Sequence, residues 1–159
     1  MRRMIAATSL SLVIVAGAQP IFPQQEKLCA QPVPTTDSKY VPGQVWSFSS
    51  RSFEPNATLT ILRIETLPKI GVVVHVRFDG IRLRNCLGGP EPTTVQHAPF
   101  AREAIDRSVV RLLSTGAVPA YEDGYNSWLS HCGGVYTITA AEMVIADEKT
   151  FNSNSGCSI

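Results

Sequence analysis

The sequence predicts an α+β domain, in which a three- to four-stranded antiparallel meander is followed by about three helices packed on one face. Alternating and β-branched residues fill much of the stretch from residue 44 to residue 85, as in strands. From residue 100 onward the apolar residues recur at helical spacing. Because the strands precede the helices instead of alternating with them, an antiparallel sheet with segregated helices is expected.

Three strands are predicted in the first half of the domain. In 44–50, Trp46 and Phe48 alternate with serines, which is typical of a half-buried strand. The runs 58–66 and 72–78 are rich in valine, isoleucine and threonine. A loop that contains a proline and a glycine separates these two runs, so they predict a β-hairpin.

A further arm over 81–85 is predicted after Asp79 and Gly80, because this dipeptide favours the positive φ angles of a two-residue type I′ turn. The resulting register divides the side chains between two faces. The predicted core face carries Leu59, Ile61, Val72, Val74, Val76, Phe78, Ile81 and Leu83. The opposite face carries Thr60, Leu62, Ile64, Val73, His75, Arg77, Arg82 and Arg84.

The first predicted helix begins near Pro99, a residue that the first turn of a helix tolerates, and ends before Gly116. Its apolar stripe consists of Phe100, Ala104, Ile105, Val109, Leu112 and Leu113.

Two further helices are predicted. Thr139 and Glu142 have the spacing of a capping box, which indicates a helix that begins there and continues to about Phe151. A shorter helix before it is indicated by aromatic and apolar residues at helical spacing, namely Tyr121, Tyr125, Trp128 and Leu129.

The amino terminus has the form of an export signal. Residues 1–18 combine a basic start, an apolar run and small residues before a cleavage site, so we expect the mature chain to begin at Gln19. The apolar run is shorter than the roughly 20 residues that cross a bilayer, and an uncleaved anchor is the less favoured alternative. A proline-rich lead-in over 19–43 and a single domain over 44–159 would follow.

Charge and export together restrict the expected partners. Loss of Arg2 and Arg3 would take the 14 basic residues to 12 against 13 acidic ones, a net charge of about −1. Such a chain has no general attraction to nucleic acid. We therefore expect no nucleic-acid partner, no transmembrane segment after processing, and a location in the periplasm or outside the cell.

The four cysteines all follow the predicted leader, and an even number in an exported protein favours disulfides over free thiols. No CxxC pattern occurs, so a zinc site is the minority alternative, and no metal or cofactor is predicted. Three pairings are possible. We favour Cys132 with Cys157 and Cys29 with Cys86, because each bond would tie a loop or a tail to a predicted element.

The basic end of the outer sheet face is the candidate binding site. His75, Arg77, Arg82 and Arg84 would project there, with Arg77 directly opposite Arg82. A solvated outer face is the more common role for such residues. The functional alternative is a site for a small anion or an acidic partner, because arginine offers planar pairs of donors.

Three other features have weaker functional interpretations. His97 precedes the first predicted helix, where a structural or capping role is favoured. His131 beside Cys132 could indicate an activated thiol, although an oxidising compartment favours a disulfide. The aromatic stripe could stack on a sugar or a peptide but is more often part of a core. None of the common catalytic or nucleotide-binding motifs occurs.

Four segments of the chain, 43–48 (GQVWSF), 58–65 (TLTILRIE), 74–76 (VHV) and 80–85 (GIRLRN), resemble a family of small uncharacterised bacterial proteins. The resemblance spans roughly residues 40 to 150. It implies a bacterial origin and a single domain, and it implies no activity, cofactor or site residue. Many members of that family lack the cysteines and the leader.

These observations favour an exported, non-enzymatic binding or inhibitor-like protein, whose partner is another envelope or secreted protein or a small anion. The first alternative is a small envelope hydrolase that uses His97 or His75 with a carboxylate. For that function, one of these histidines must lie in a concave pocket beside Asp or Glu. The second alternative is a passive envelope assembly component, which would expose a contiguous apolar surface.

Overall fold

The computed structural model describes residues 29–154 and 156–157. The whole of the predicted leader and residues 19–28 of the lead-in lie outside these residues. The described part contains six strands and three helices. They are, in chain order, β1 (Val33–Pro34), β2 (Gln44–Phe48), β3 (Thr58–Leu67), β4 (Gly71–Asp79), β5 (Thr94–Ala101), α1 (Arg102–Asp106), β6 (Val109–Thr115), α2 (Glu122–Ser130) and α3 (Ala140–Asn154).

The strands form one antiparallel sheet in the order β5-β4-β3-β2-β6, and the two-residue β1 pairs with β3. The predicted α+β class is therefore confirmed, with a larger sheet than expected. The lead-in contributes to the fold from β1 onward, because Tyr40 is buried in the hydrophobic core.

The β3–β4 hairpin is confirmed, and its register follows the prediction over half of its length. Leu59 pairs with Phe78 and Ile61 with Val76, as expected. At Leu62 a bulge shifts the pairing by one residue. A shift of one residue moves the following side chains of a strand to the other face. As a result Ile64, which was predicted on the outer face, belongs to the core.

The predicted arm over 81–85 does not form a strand. Among the described residues Asp79 does not have positive φ, so the type I′ turn is absent, and β4 pairs with β5 instead. The backbone amide of Arg82 donates to Glu54 Oε1 at 2.5 Å, and that of Arg84 donates to Glu148 Oε2 at 2.9 Å. These carboxylates take the hydrogen bonds that a strand partner would have taken.

The first predicted helix is also wrong over most of its length. Only α1 is helical, while β5 precedes it and β6 follows it. Phe100, Ala104 and Ile105 lie in the core as the stripe predicted, but Leu112 and Leu113 are exposed on β6. Because β5 lies at the edge of the sheet, Pro99 is tolerated there without a backbone donor.

The second and third predicted helices are confirmed as α2 and α3. Thr139 and Glu142 form the expected capping box, with the Thr139 amide 2.8 Å from Glu142 Oε2 and the Glu142 amide 3.4 Å from Thr139 Oγ1. Helix α3 packs on the core face through Met143. Helix α2 lies on the opposite face, so the prediction that the helices share one face is wrong.

Both disulfides are present, but neither predicted pairing is. Cys29 bonds to Cys132, and Cys86 bonds to Cys157. The first bond ties the start of the described chain to the end of α2. The second ties the carboxyl-terminal tail to the loop that follows β4. In the described part of the chain no helix is both long and apolar enough to span a bilayer.

Candidate functional site

The structure does not bring the four predicted site residues together. His75 is fully buried beneath α2. Arg77 is bound by Asp79, with Nε 2.9 Å from Oδ2. Arg84 lies beside α3, where it binds Glu148 at 2.7 Å, and Arg82 binds Glu91 at 2.6 Å. The expected pairing of Arg77 with Arg82 is wrong, because residues 81–85 form no strand and β5 occupies the side of β4 on which they were expected.

The arginines that contact α3 form a network of ion pairs with two glutamates. Glu148 accepts from Arg84 Nη2 at 2.7 Å and from Arg51 Nη1 at 2.9 Å, and Arg51 also pairs with Glu54. Burial alone would raise the pKa of Glu148, but the hydrogen bonds from Arg84 and Arg51 outweigh burial and lower the pKa to about 2. These cations are engaged in holding α3 to the sheet.

A buried chain of three polar side chains lies on the other face. Nε2 of His75 is 3.0 Å from Oε1 of Glu65, and Nδ1 of His75 is 2.8 Å from Nε2 of His97. Glu65 and His75 are fully buried, whereas His97 is half-buried. We call these three residues the Glu-His-His chain.

Each member of the chain is placed by a different strand. The bulge at Leu62 in β3 turns Glu65 away from the core, and β4 presents His75 on the same face. In β5, Ala98 enters the core, so the preceding His97 points to the opposite face and reaches His75. Gly124 of α2 lets the helix approach, because a Cβ there would lie 2.7 Å from Cβ of His97.

The remaining contacts fix the charge and the direction of the hydrogen bonds. Arg63 Nε and the Tyr125 hydroxyl both donate to Glu65 Oε2, at 2.5 and 3.2 Å. A carboxylate that accepts these bonds also accepts from Nε2–H of His75. Nδ1 of a neutral His75 is then an acceptor, so it must receive the Nε2–H of His97.

Burial keeps both histidines neutral. It lowers the pKa of His75 to about 3, with the neighbouring His97 and Arg63 acting in the same direction. It also lowers the pKa of His97 to about 4. At neutral pH both rings are therefore uncharged, and the outer atom, Nδ1 of His97, presents a lone pair.

Aromatic side chains of α2 and the residue before it enclose the chain. Trp128 meets His75 edge-on with ring centroids 4.8 Å apart, and Tyr125 does so at 5.4 Å. Tyr121 lies nearly parallel to His97, with centroids 6.4 Å apart. The aromatic stripe thus packs on the sheet, and it covers the polar chain instead of presenting a free stacking surface.

The arrangement can accept a hydrogen bond or a proton at His97. No group of three or more His, Cys, Asp or Glu among the described residues has the geometry to hold a metal ion. His131 takes no part, since its Nδ1 lies 2.7 Å from the carbonyl oxygen of Ser127. Because Cys132 is in a disulfide, it offers no activated thiol.

A comparison of the chain with family models, curated proteins and solved structures finds no match. The site must therefore be interpreted from its own geometry.

A second candidate surface lies at the far edge of the sheet. Among the described strands β6 pairs with β2 alone. Bulges in β6 leave Val110 and Leu113 without a partner residue on β2. Their side chains are 68% and 43% exposed, and that of Leu112 between them is 42% exposed. We call these three residues the β6 apolar edge.

Sequence reasoning missed Glu65 and its link to the two histidines. A signal was present, because strict alternation from Leu59 and Ile61 would place Arg63 and Glu65 on the core face. Two charged residues at core positions indicate either a buried ion pair or a change of register. The bulge at Leu62 is that change.

Proposed function

We propose that this chain is an exported bacterial protein of the periplasm or extracellular space, and that it acts by binding another secreted or envelope protein. The β6 apolar edge is the contact surface. Its three exposed aliphatic side chains are the observation that carries the proposal. A passive assembly component would also expose such a surface, so the identity of the bound partner separates the two functions. An anion site on the predicted basic residues has less support, because Arg77, Arg82 and Arg84 are each bound by a carboxylate.

The disulfides support the exported location. Two bonds, Cys29–Cys132 and Cys86–Cys157, account for all four cysteines. Such bonds persist in oxidising compartments and are rare in the cytosol. A leader at residues 1–18 would take the chain to such a compartment.

The shape of β6 favours contact through side chains. Edge strands with regular, unpaired backbone groups tend to pair with other chains, and bulges interrupt that regularity. In β6 the bulges fall at Val110 and Leu113, so a long added strand would fit poorly. The same bulges leave both side chains exposed, and burial of such aliphatic groups contributes roughly 25 cal/mol per Å².

A photo-cross-linking residue at Leu113, incubated with an envelope extract of the producing bacterium, tests this function. We expect one stoichiometric partner, which is lost when Leu112→Lys is added. Ile145→Lys is the matched control, because Ile145 on α3 is 41% exposed and lies outside the β6 apolar edge. The partner should survive that change.

Three outcomes would contradict the proposal. They are no stoichiometric partner at position 113, a partner that remains bound after Leu112→Lys, and a cross-link only to a second copy of the chain. The last outcome would assign the protein to the passive assembly components.

The second candidate function is a small envelope hydrolase with His97 as general base, and the Glu-His-His chain favours it. A general base is most effective when its pKa is near the working pH. The pKa of His97 is lowered to about 4, so it is a weak base at neutral pH. Turnover of an ester or amide substrate that disappears in His97→Gln would establish the hydrolase and overturn the binding function.

A further inference from the structure

Arg111 of β6 carries an unpaired positive charge. It is exposed, and its guanidinium stays protonated in a protein. Arg107 donates to the backbone carbonyls of Glu103 and Thr137. The remaining described arginines each bind a carboxylate, and they are Arg51, Arg63, Arg77, Arg82, Arg84 and Arg102. Among the described residues Arg111 has neither kind of partner, so its donors are open to a partner from outside the chain.

Arg111 lines a cleft of about 230 Å³ between β2, β6 and the loop that precedes β3. Ser47 of β2 pairs with Arg111 on one side and with Thr58 on the other, and paired residues share a face of the sheet. Leu113 and residues 55–57 complete the lining. The cleft thus joins the exposed guanidinium to one residue of the β6 apolar edge.

The wall formed by residues 55–57 is held in place by the fold. Ala57 is buried in the core, and its amide donates to the carbonyl oxygen of Glu54 at 3.0 Å. Gly80 lies against the same loop, because a Cβ there would be 3.1 Å from the carbonyl oxygen of Asn56. A partner therefore meets a preformed wall, which lowers the cost of binding.

None of the described residues that line the cleft is acidic. The carboxylates that adjoin it are bound within the chain. Glu54 is buried and pairs with Arg51. Asp79 on β4 accepts from Arg77 and from the hydroxyl of Thr94. The positive charge in the cleft is therefore not neutralised by a carboxylate of the described chain.

We propose that this cleft receives a carboxylate side chain of the protein partner, together with a neighbouring aliphatic residue that packs on Leu113. The guanidinium of Arg111 offers paired donors that match a carboxylate, and Leu113 offers apolar area in the same cleft. A basic segment would be repelled. The inference rests on the proposed binding function, and it adds the chemistry of the partner's contact, which is an acidic residue beside an aliphatic one.

NMR titration of the ¹⁵N-labelled full chain with three capped peptides tests this class. The peptides are Ser-Leu-Glu-Leu-Ser and the versions in which Gln or Lys replaces Glu. We expect the Glu peptide to shift the backbone amides of Arg111 and Leu113, and to bind about 2- to 5-fold more tightly than the Gln peptide at low salt. The Lys peptide should bind most weakly. Added NaCl should reduce the preference for the Glu peptide.

Two variants locate the preference on the chain. Arg111→Gln should bind the Glu and Gln peptides equally. Lys149→Gln is the matched control, because Lys149 is an exposed cation on α3, and it should leave the preference unchanged. Equal binding of the Glu and Gln peptides to the unchanged chain, a preference that persists in Arg111→Gln, or shifts confined to residues outside the cleft would each overturn the proposal.

The envelope cross-link separates this proposal from the proposed function. A partner captured at position 113 that binds Arg111→Gln as tightly as the unchanged chain would leave the binding function standing and overturn the acidic class. A peptide preference that depends on Arg111, without any partner from the extract, would leave the cleft assignment standing and overturn the binding function.

Discussion

His75 and His97 are joined ring to ring, with Nδ1 of His75 only 2.8 Å from Nε2 of His97. Two imidazoles can share such a bond when one nitrogen of the pair is bare and the other carries a proton, and neutral rings, which burial favours here, allow this. The pair is anchored at its inner end by Glu65 and covered by α2.

Removal of the anchoring carboxylate should be strongly destabilising. Glu65→Ala would leave the buried Nε2–H of His75 without its acceptor and the partly exposed Arg63 without its ion-pair partner. We expect a loss of about 1–3 kcal/mol in the free energy of unfolding, measured by urea denaturation. Glu103→Ala is the control, since Glu103 is exposed on α1, and it should cost no more than about 0.5 kcal/mol. Equal effects of the two changes would show that the Glu-His-His chain does not stabilise the fold.

Stability should fall as the pH is lowered from about 6.5 towards 4. Unfolding returns His75 and His97 to an ordinary pKa of 6.5, whereas their folded pKa values are about 3 and 4. Within this window the unfolded chain binds protons that the folded chain does not. The free energy of unfolding is therefore highest above pH 6.5. Below that pH, each histidine lowers the free energy of unfolding by up to about 1.4 kcal/mol per pH unit.

Urea denaturation at a series of pH values between 6.5 and 5 measures this slope. Glu148, with a folded pKa of about 2, contributes mainly at lower pH. Burial raises the pKa of Asp147, which acts in the opposite direction, so the histidine contribution is read from the difference between variants. His97→Gln should reduce the slope by about half, because one of two groups is removed. His131→Gln should leave it unchanged, because His131 lies outside the Glu-His-His chain. If the unchanged protein, His97→Gln and His131→Gln all had the same slope, the lowered pKa assigned to His97 would be wrong.

Gly124 should resist substitution by alanine even though it lies within a helix. Alanine normally stabilises a helix interior by roughly 0.5–1 kcal/mol relative to glycine. At Gly124, however, the new Cβ would lie 2.7 Å from Cβ of His97. We expect Gly124→Ala to destabilise the fold by about 1–3 kcal/mol, measured by thermal unfolding.

Gly134→Ala is the matched control for this change, because nothing lies within 4 Å of a Cβ at Gly134. It should have little effect on the melting temperature. A stabilised Gly124→Ala protein would mean that α2 does not pack closely on His97.

The sequence correctly predicted the strands and helices whose residue patterns fit only one kind of structure. Alternation in β2, the β-branched runs of β3 and β4, and the capping box of α3 each point to the structure that forms. The stretch from Phe100 to Gly116 has two interpretations. Its apolar residues fit a helical stripe, but they also fit a buried turn of helix at Ala104 followed by a strand that begins at Val109. Pairing of that strand with β2, which is not visible in local spacing, decides between them.

A single bulge, which the sequence did not predict, is the reason that the candidate site was missed. With the register predicted from the loop, Glu65 and His75 fall on opposite faces of the sheet. The bulge at Leu62 brings them to one face and makes their hydrogen bond possible. Likewise, the absence of an arm over 81–85 depends on Glu54 and Glu148, two carboxylates that are distant in sequence from the amides they bind.

Peptide mapping of the chain after fractionation of the producing cells tests the central claim most directly, because the binding function requires export. Free thiols are first blocked by alkylation, and the amino terminus and the cysteine linkages are then read by mass spectrometry. We expect the chain in the periplasm or the medium, beginning at Gln19, with Cys29 linked to Cys132, Cys86 linked to Cys157 and no alkylated cysteine. A cytosolic chain that retains residues 1–18 and carries four alkylated cysteines would contradict the account.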